Sequence, residues 1–492
     1  MTVPAHRADQ VRALEQAVMA VEGPDVLMQR AATGLSHSAA DLLRRTRGSV
    51  YGARVLVLAG TGGNAGDALF AGARLARRGV RVTAVLCLGR THEAGLAALR
   101  AAGGVVRSAE EAGLTERDAS PAPPADLVVD GILGIGGRAG MTGPLEAVVA
   151  ATGRWSVPVL AVDLPSGVDT DTGAVPGPAI RATRTVTFGT YKPCHLLEPA
   201  RSRCGELELV DIGLAEGAGE TGPALLGWTP DDLARAWPYP DAATDKYGRG
   251  VVGIDAGSDT YPGAAVMSTY GAVFAGAGMV RFLGSDRPAQ VIGAQLPNVV
   301  FSPGRVQAHV LGSGWGEHAD GDAIVRRAAE DGLPAVVDAD GLRHLPDRCP
   351  DGWLLTPHAG ELARLLDCPR SEVEGDPLRA VRVGADRTGA TVLLKGATQL
   401  VARPGRKQVL VAVPGPSWTA QAGSGDVLGG VCGALLAAGC PPHHAAVLGA
   451  SVQAVAAAAH PGAVPPVELA RAIGPLLGEL QGRRDELAGS PR

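Results

Sequence analysis

Aromatic residues make up only 3% of the chain, Lys and Arg form no extended run, no Cys-x-x-Cys pair occurs, and no long apolar stretch is uninterrupted. Few aromatic rings leave little material for base-stacking platforms. A net charge of -5 with scattered basic residues argues against a phosphate-backbone footprint or an anionic membrane surface. No nucleic acid and no membrane are therefore expected as partners. Cys87, Cys194, Cys204, Cys349, Cys368, Cys432 and Cys440 are odd in number, and their spacing suits neither a disulfide framework nor a zinc site. Reduced thiols in a cytoplasmic protein are the expectation. Residues 1–22 carry charges throughout without an apolar core, so no signal peptide is read there. The small-residue run Ala445–Ala459 is broken by Ser451 and Gln453 and predicts a buried helix, not a membrane span.

What is abundant is glycine, 69 of 492 residues, within a chain that is 46% apolar. That length exceeds one hydrophobic core, so at least two domains are expected. Helical spacing of Val11, Leu14, Ala17 and Val18, then of Leu27, Met28, Ala31 and Leu35, predicts two amphipathic helices split at Gly23-Pro24. Glu15 and Met28 are either ligand contacts or members of that packing face.

From Arg54 the pattern alternates. Strands are predicted at Val55–Leu58, Val80–Leu88, Leu127–Asp130 and Val159–Asp163, with helices at Asp67–Arg77 and His92–Ala102. Alternation of this kind builds a parallel sheet covered on both faces, with ligands beyond the carboxyl ends of the strands. Three segments fall there: Gly60-Thr61-Gly62-Gly63-Asn64-Ala65-Gly66-Asp67, Asp130 to Gly137, and Val162-Asp163-Leu164-Pro165-Ser166-Gly167. The first also reads as a plain strand-to-helix turn with Asp67 as a cap. It fits the Ala-ending dinucleotide fingerprint as well, so a Rossmann dehydrogenase stays open. Against that, Cys87-Leu88-Gly89-Arg90 lacks the acidic residue that would hold a ribose.

These segments, followed by Thr187-Phe188-Gly189-Thr190-Tyr191-Lys192 and Asp211-Ile212-Gly213, occur in the order found in NAD(P)H-hydrate epimerases, which the first 215 or so residues resemble. The resemblance implies potassium held by Asn64, Asp130 and Ser166. It also implies dinucleotide contacts at Gly63, Asn64, Ala65, Gly66, Asp67 and Asp163, with phosphates on the loop Gly134, Ile135, Gly136, Gly137, Arg138, Ala139 and Gly140. An all-oxygen ligand set suits a hard cation. Asp163 is the candidate acid/base; Lys192 is either an electrostatic helper or an ordinary surface lysine. Two departures from the family loop stand out, Gly63 for Asn and Ala65 for Gly. If position 65 needed a positive φ, Ala would distort the loop or weaken binding.

Residues 216–229 read as a linker, and a second α/β region follows. Its signals are Tyr261-Pro262-Gly263-Ala264-Ala265, Leu311-Gly312-Ser313-Gly314, Asp338-Ala339-Asp340, Thr356-Pro357-His358-Ala359-Gly360-Glu361, Lys395-Gly396-Ala397-Thr398 and Gly423-Ser424-Gly425-Asp426. In the last of these, glycine-rich backbone at a helix start meets one carboxylate, an anion site with a base attached. Taken singly, His358 also reads as a satisfied loop histidine and Lys395 as a strand-end cation. Together they resemble the ribokinase-like fold and, more closely, ADP-dependent NAD(P)H-hydrate dehydratases. By that resemblance Ala264, Gly314 and His358 contact the hydrated cofactor, Lys395, Gly396, Ala397, Thr398, Gln399 and Gly425 contact the nucleotide, and Asp426 faces the reacting hydroxyl. Ser313 stands where that family has proline, its hydroxyl a candidate donor to a phosphate.

The fold expected is α/β: a Rossmann-like three-layer domain over 1–215, a linker over 216–229, and a ribokinase-like domain over 230–492. The expected activity is repair of hydrated NADH and NADPH, by epimerisation in the first domain and ADP-dependent dehydration in the second. Potassium, and magnesium accompanying the nucleotide, are the implied cofactors; self-association is left open. The alternatives are an ATP-dependent small-molecule kinase in the second domain and a non-catalytic binding or scaffolding module in the first.

Overall fold

The computed structural model describes residues 2–114, 125–214 and 222–489. The chain forms two units, one of Pro4–Ala224 and a second of Leu225–Arg492 together with Met1–Val3. Residues 216–221 of the expected linker lie outside the described residues. Its later part contains the strand Leu225–Gly227, which pairs with Val409–Val411 in the second unit's sheet.

In the first unit, helices Ala8–Glu22 and Val26–Arg47 are separated where the spacing predicts, at Gly23-Pro24-Asp25. Among the described residues seven parallel strands follow, in the spatial order Val105–Ser108, Arg81–Leu86, Arg54–Ala59, Leu127–Gly131, Val159–Val162, Arg184–Phe188, Glu206–Val210. Numbered along the chain this is 3-2-1-4-5-6-7, so the order reverses between Arg54–Ala59 and Leu127–Gly131. A crevice for a ligand opens at such a switch point, outside the strand carboxyl ends. Leu35, Leu69, Leu127 and Leu160 fill the core between helices and sheet, each contributing about 2 kcal/mol through burial.

One expected helix begins earlier than its spacing suggested. It runs Gly63–Ala76, so Asn64, Ala65 and Gly66 occupy its first turn. Ala65 is helical and completely buried, and Asp163, Ala339 and Asp367 are the non-glycine residues with positive φ among those described. The expected strain at Ala65 is therefore absent, because the methyl sits in a right-handed helix and packs into the core.

The second unit's sheet runs Met279–Phe282, Val251–Asp255, Ala308–Leu311, Ala335–Val337, Trp353–Leu355 and Thr391–Leu394 in parallel. Leu400–Ala402 is antiparallel to Thr391–Leu394 and to Val409–Val411. The chain order reverses next to Val251–Asp255, again placing a crevice at the strand ends. Helices Pro262–Phe274 and Ser424–Ala437 pack against each other in the core. A β-carbon at Gly430 would lie 1.9 Å from the Ser268 carbonyl oxygen. Glycine there lets the two helix backbones touch, which fixes the start of Ser424–Ala437 over the crevice. The buried helix expected over Ala445–Ala459 is Pro442–Ala459, and among the described residues no helix is long and apolar enough to cross a membrane.

Candidate functional site

In the first unit a cavity of about 400 Å³ lies at the switch point, lined by Glu15, Met28, Gly63, Asn64, Asp67, the turn Gly134–Gly137, Asp163 and Lys192, among others. Glu15 and Met28 thus do face a ligand-sized space. Arg138, Ala139 and Gly140 are not among the lining residues; Gly140 N–H instead donates to the Gly167 carbonyl.

Asp163 follows strand Val159–Val162 and holds φ at 66°, a conformation that non-glycine residues rarely adopt and that persists only when surroundings enforce it. Here they do. Its N–H donates to the Val186 carbonyl (2.7 Å). Its carboxylate accepts from Thr187 Oγ1 (2.9 Å) and from Lys192 Nζ. His195 receives the Lys192 N–H on Nδ1 (3.0 Å). Its Nε2 must then carry the proton and donate to the Asp163 carbonyl (2.8 Å). Burial, then the Lys192 charge, lowers His195 to about 4, so this imidazole stays neutral. The reading of Lys192 as a surface lysine is corrected: it is 1% exposed, with its ammonium shared among Asp163, Thr187 Oγ1 and the Phe188 carbonyl.

Asp130, Ser166 and Asn64 come together beside this pair. Ser166 Oγ donates to Asp130 (2.7 Å) and accepts from Leu133 N–H (2.9 Å). The Asn64 amide donates to the Leu133 and Val162 carbonyls (3.1 and 2.6 Å). Asp130 is completely buried, and burial pushes its carboxyl up to about 6 against its hydrogen bonds to Ser166 and Ile132 N–H. A cluster of amide, hydroxyl, carboxylate and main-chain oxygens matches what potassium prefers. Asp67, buried in helix Gly63–Ala76, has an Oδ1 with no hydrogen-bond partner among the described residues. Burial first, then the charges of Asp163 and Glu15, pushes its carboxyl well above the ordinary range.

In the second unit, Gly423 takes φ of 95° as the N-cap of helix Ser424–Ala437 and puts Asp426 in its first turn. The first amides of that helix have no intrahelical partner and form an anion-binding end. Asp338 accepts from Lys395 Nζ (2.6 Å) and from Ser313 Oγ (3.2 Å). Burial alone would lower Lys395, but Asp338, then Glu361 and Asp426, outweigh it and hold the ammonium charged. Asp426 is pushed up to about 6 by burial and then by Asp338, against the pull of Lys395 and a hydrogen bond from Ser313. Ser313 is fully buried, so its hydroxyl serves the carboxylates, not a phosphate as its chemistry suggested. Ser424 Oγ, Gln399 Oε1 and Thr356 Oγ1 are buried polar atoms without hydrogen-bond partners among the described residues, all at the strand-end side of this sheet, where a polar ligand would satisfy them.

Ala264 and Gly314 are in contact: a β-carbon on Gly314 would lie 2.5 Å from that of Ala264. They adjoin an open cavity of about 720 Å³ lined by Ser258, Tyr261, Trp315 and Asp340, among others. His358 is half-exposed and caps helix Ala359–Leu366, its Nδ1 accepting from Gly360 and Glu361 N–H, while its backbone bridges to Lys395. Nothing along the chain signals the partners of Ser313 and His195 or the burial of Asp67; tertiary structure alone reveals them.

Residues 24–194 match the family model of the YjeF-related protein N-terminus, and residues 252–473 match that of NAD(P)H-hydrate dehydratase. The chain is 44% identical over 455 residues to the bifunctional NAD(P)H-hydrate repair enzyme Nnr of Mycobacterium tuberculosis, covering 90% of each chain. It is 44% identical over 461 residues to the Mycobacterium leprae protein of that name, covering 91% of this chain and 92% of that one. A solved ADP/ATP-dependent NAD(P)H-hydrate dehydratase from Bacillus subtilis is 22% identical, with a TM-score of 0.49 over 51% of this chain and 98% of that chain. By its identity to full-length relatives and its two matched halves, the chain belongs to the family of bifunctional NAD(P)H-hydrate repair enzymes.

Proposed function

We propose that the first unit interconverts the R and S forms of hydrated NADH and NADPH, and that the second dehydrates the S form at the expense of ADP. The observation that carries the second assignment is Asp426 in the first turn of helix Ser424–Ala437, beside the Lys395–Asp338 pair. A carboxylate with a raised pKa at an anion-binding helix end is suited to remove a hydroxyl proton during phosphoryl transfer.

Asp426 takes the proton of the substrate hydroxyl as that oxygen bonds to the β-phosphorus of ADP and AMP departs. Amides of Gly423 and Gly425 and the Lys395 ammonium stabilise charge on the phosphoryl oxygens, joined by the Ser424 N–H once it leaves the Gln421 carbonyl (3.2 Å). Phosphate is a better leaving group than hydroxide; the ring-nitrogen lone pair expels it, and loss of a ring proton restores the dihydronicotinamide. Gly396, Ala397, Thr398 and Gln399 would hold the nucleotide. Magnesium, brought with the nucleotide, would neutralise phosphate charge. In the first unit Asp163 is the acid/base at the nicotinamide, held by Lys192 and placed by the His195 hydrogen bond. Potassium at Asn64, Asp130 and Ser166 would anchor the loops that surround the cavity.

Incubating the full chain with a racemic hydrate and either ADP or ATP tests this reading. Recovery of dihydronicotinamide absorbance well past half of the hydrate, with free phosphate released, is expected. Accumulation of a stable phosphate ester would favour the kinase alternative. Recovery that stops at half and then follows only the spontaneous rate would make the first unit a non-catalytic module.

A further inference from the structure

The epimerase cavity contains an acid, Asp67, that is expected to contact the dinucleotide but has no part in the proton transfers described so far. Asp67 is 8% exposed and lines the cavity together with Asp163, Lys192 and Glu15. Asp163 is engaged by Lys192 and Thr187; Asp67 Oδ1 has no hydrogen-bond partner among the described residues. Leaving a buried polar atom unpaired is unfavourable, and such groups ask for a ligand or a catalytic use. An asparagine there would avoid the cost of a buried charge. A carboxyl group offers instead a proton that can be given and recovered.

We propose that Asp67 is a second catalytic residue of the first unit, the neutral acid that protonates the leaving hydroxyl of the hydrated nicotinamide. The inference rests on the epimerase reading of that unit. The Asp67 proton passes to the hydroxyl oxygen, the carbon–oxygen bond breaks, and its electron pair leaves with the water formed. The ring-nitrogen lone pair satisfies the carbon as an iminium ion. Water then adds to the other ring face and gives its extra proton to the Asp163 carboxylate, which inverts the centre. Asp67 is left anionic and Asp163 neutral, ready for turnover in the opposite direction or for proton exchange with solvent. The two carboxyl groups are suited to different states. Burial and the neighbouring charges of Asp163 and Glu15 favour the neutral form of Asp67, whereas Asp163 carries an ammonium partner. The charged groups acting on Asp67 are Glu15 from helix Ala8–Glu22, Asp163 after strand Val159–Val162, and Lys192 after strand Arg184–Phe188. Helix Val26–Arg47 contributes the uncharged Leu27, Met28 and Ala31 to the cavity, and the His92 ring lies against Gly66 at the start of helix Glu93–Ala101.

The test uses the full chain and two assays on each preparation: interconversion of R and S hydrates without nucleotide, and dehydration of the S hydrate with ADP. Asp67→Asn is expected to lower kcat for interconversion by about a hundredfold or more, leave KM within about threefold, and leave dehydration unchanged. The unchanged dehydration also verifies the protein preparation. In the wild type, kcat for interconversion is expected to fall at alkaline pH as Asp67 loses its proton. Wild-type kcat in Asp67→Asn, or a loss confined to KM, would overturn the proposal. Should the variant's first unit fail to fold, a wild-type kcat that stays flat to high pH would overturn it independently. A wild type with no interconversion above the spontaneous rate would refute instead the epimerase reading on which the proposal rests.

Discussion

Replacing Asp338 with asparagine should move the acid limb of dehydration to lower pH. Asp426 is held up to about 6 by burial and by Asp338, with Lys395 pulling the other way. As a general base it must be ionised, so kcat should fall about tenfold per pH unit below about 6 in the wild type. Asp338→Asn removes the like charge and releases Lys395 from its 2.6 Å ion pair, leaving that ammonium free to favour ionised Asp426. Both effects have the same sign, and charge effects at this range amount to about one pKa unit or more. One unit corresponds to 1.36 kcal/mol, and the weaker base should lower the plateau by roughly threefold for a Brønsted slope near one half. Ser313→Ala should shift the limb upward, because it removes a hydrogen bond that favours the ionised form. The assay is kcat for S-hydrate dehydration between pH 4.5 and 8.5 at saturating ADP. Limbs that stay together, or an Asp338→Asn limb that moves upward, would refute the assignment of Asp426 as the base.

Asp426→Asn should bind nucleotide nearly normally and lose about a hundredfold in turnover; near-normal turnover would remove its assigned role. Asp163→Asn leaves the Lys192 ammonium buried beside neutral groups, so about 3–5 kcal/mol of stability should be lost, read as an earlier denaturant midpoint for the first unit and abolished interconversion. Ala65→Gly should cost about 0.5–1 kcal/mol as a helix substitution without raising the interconversion rate; a faster enzyme would show that the methyl does hinder the loop. Gly423→Ala must hold a left-handed residue, at roughly 1–2 kcal/mol, and its β-carbon would overlap Met267 Sδ at 2.0 Å, so dehydration should fall while interconversion is unaffected.

Glycine-rich segments after short apolar strands were enough to predict two α/β units with crevices at their strand ends, whereas the chemistry expected of Asp130, Asp163, Ser166, Lys395 and Asp426 came from resemblance to a family. Strand ends and helix starts are local properties of backbone, and residue pattern encodes them directly. What tertiary structure decided is the environment of each charged group. Nothing in the neighbours of Lys192 along the chain says that it is buried against a carboxylate 29 residues earlier. Ala65 raised a conformational concern that vanished because the helix begins at Gly63, two residues before it. Glu15 and Asp67 entered one cavity with Asp163 only because helix Ala8–Glu22 and the sheet's switch point meet there. Pattern along a chain reports conformation and residue type, whereas burial, pairing and protonation depend on which distant residues arrive alongside.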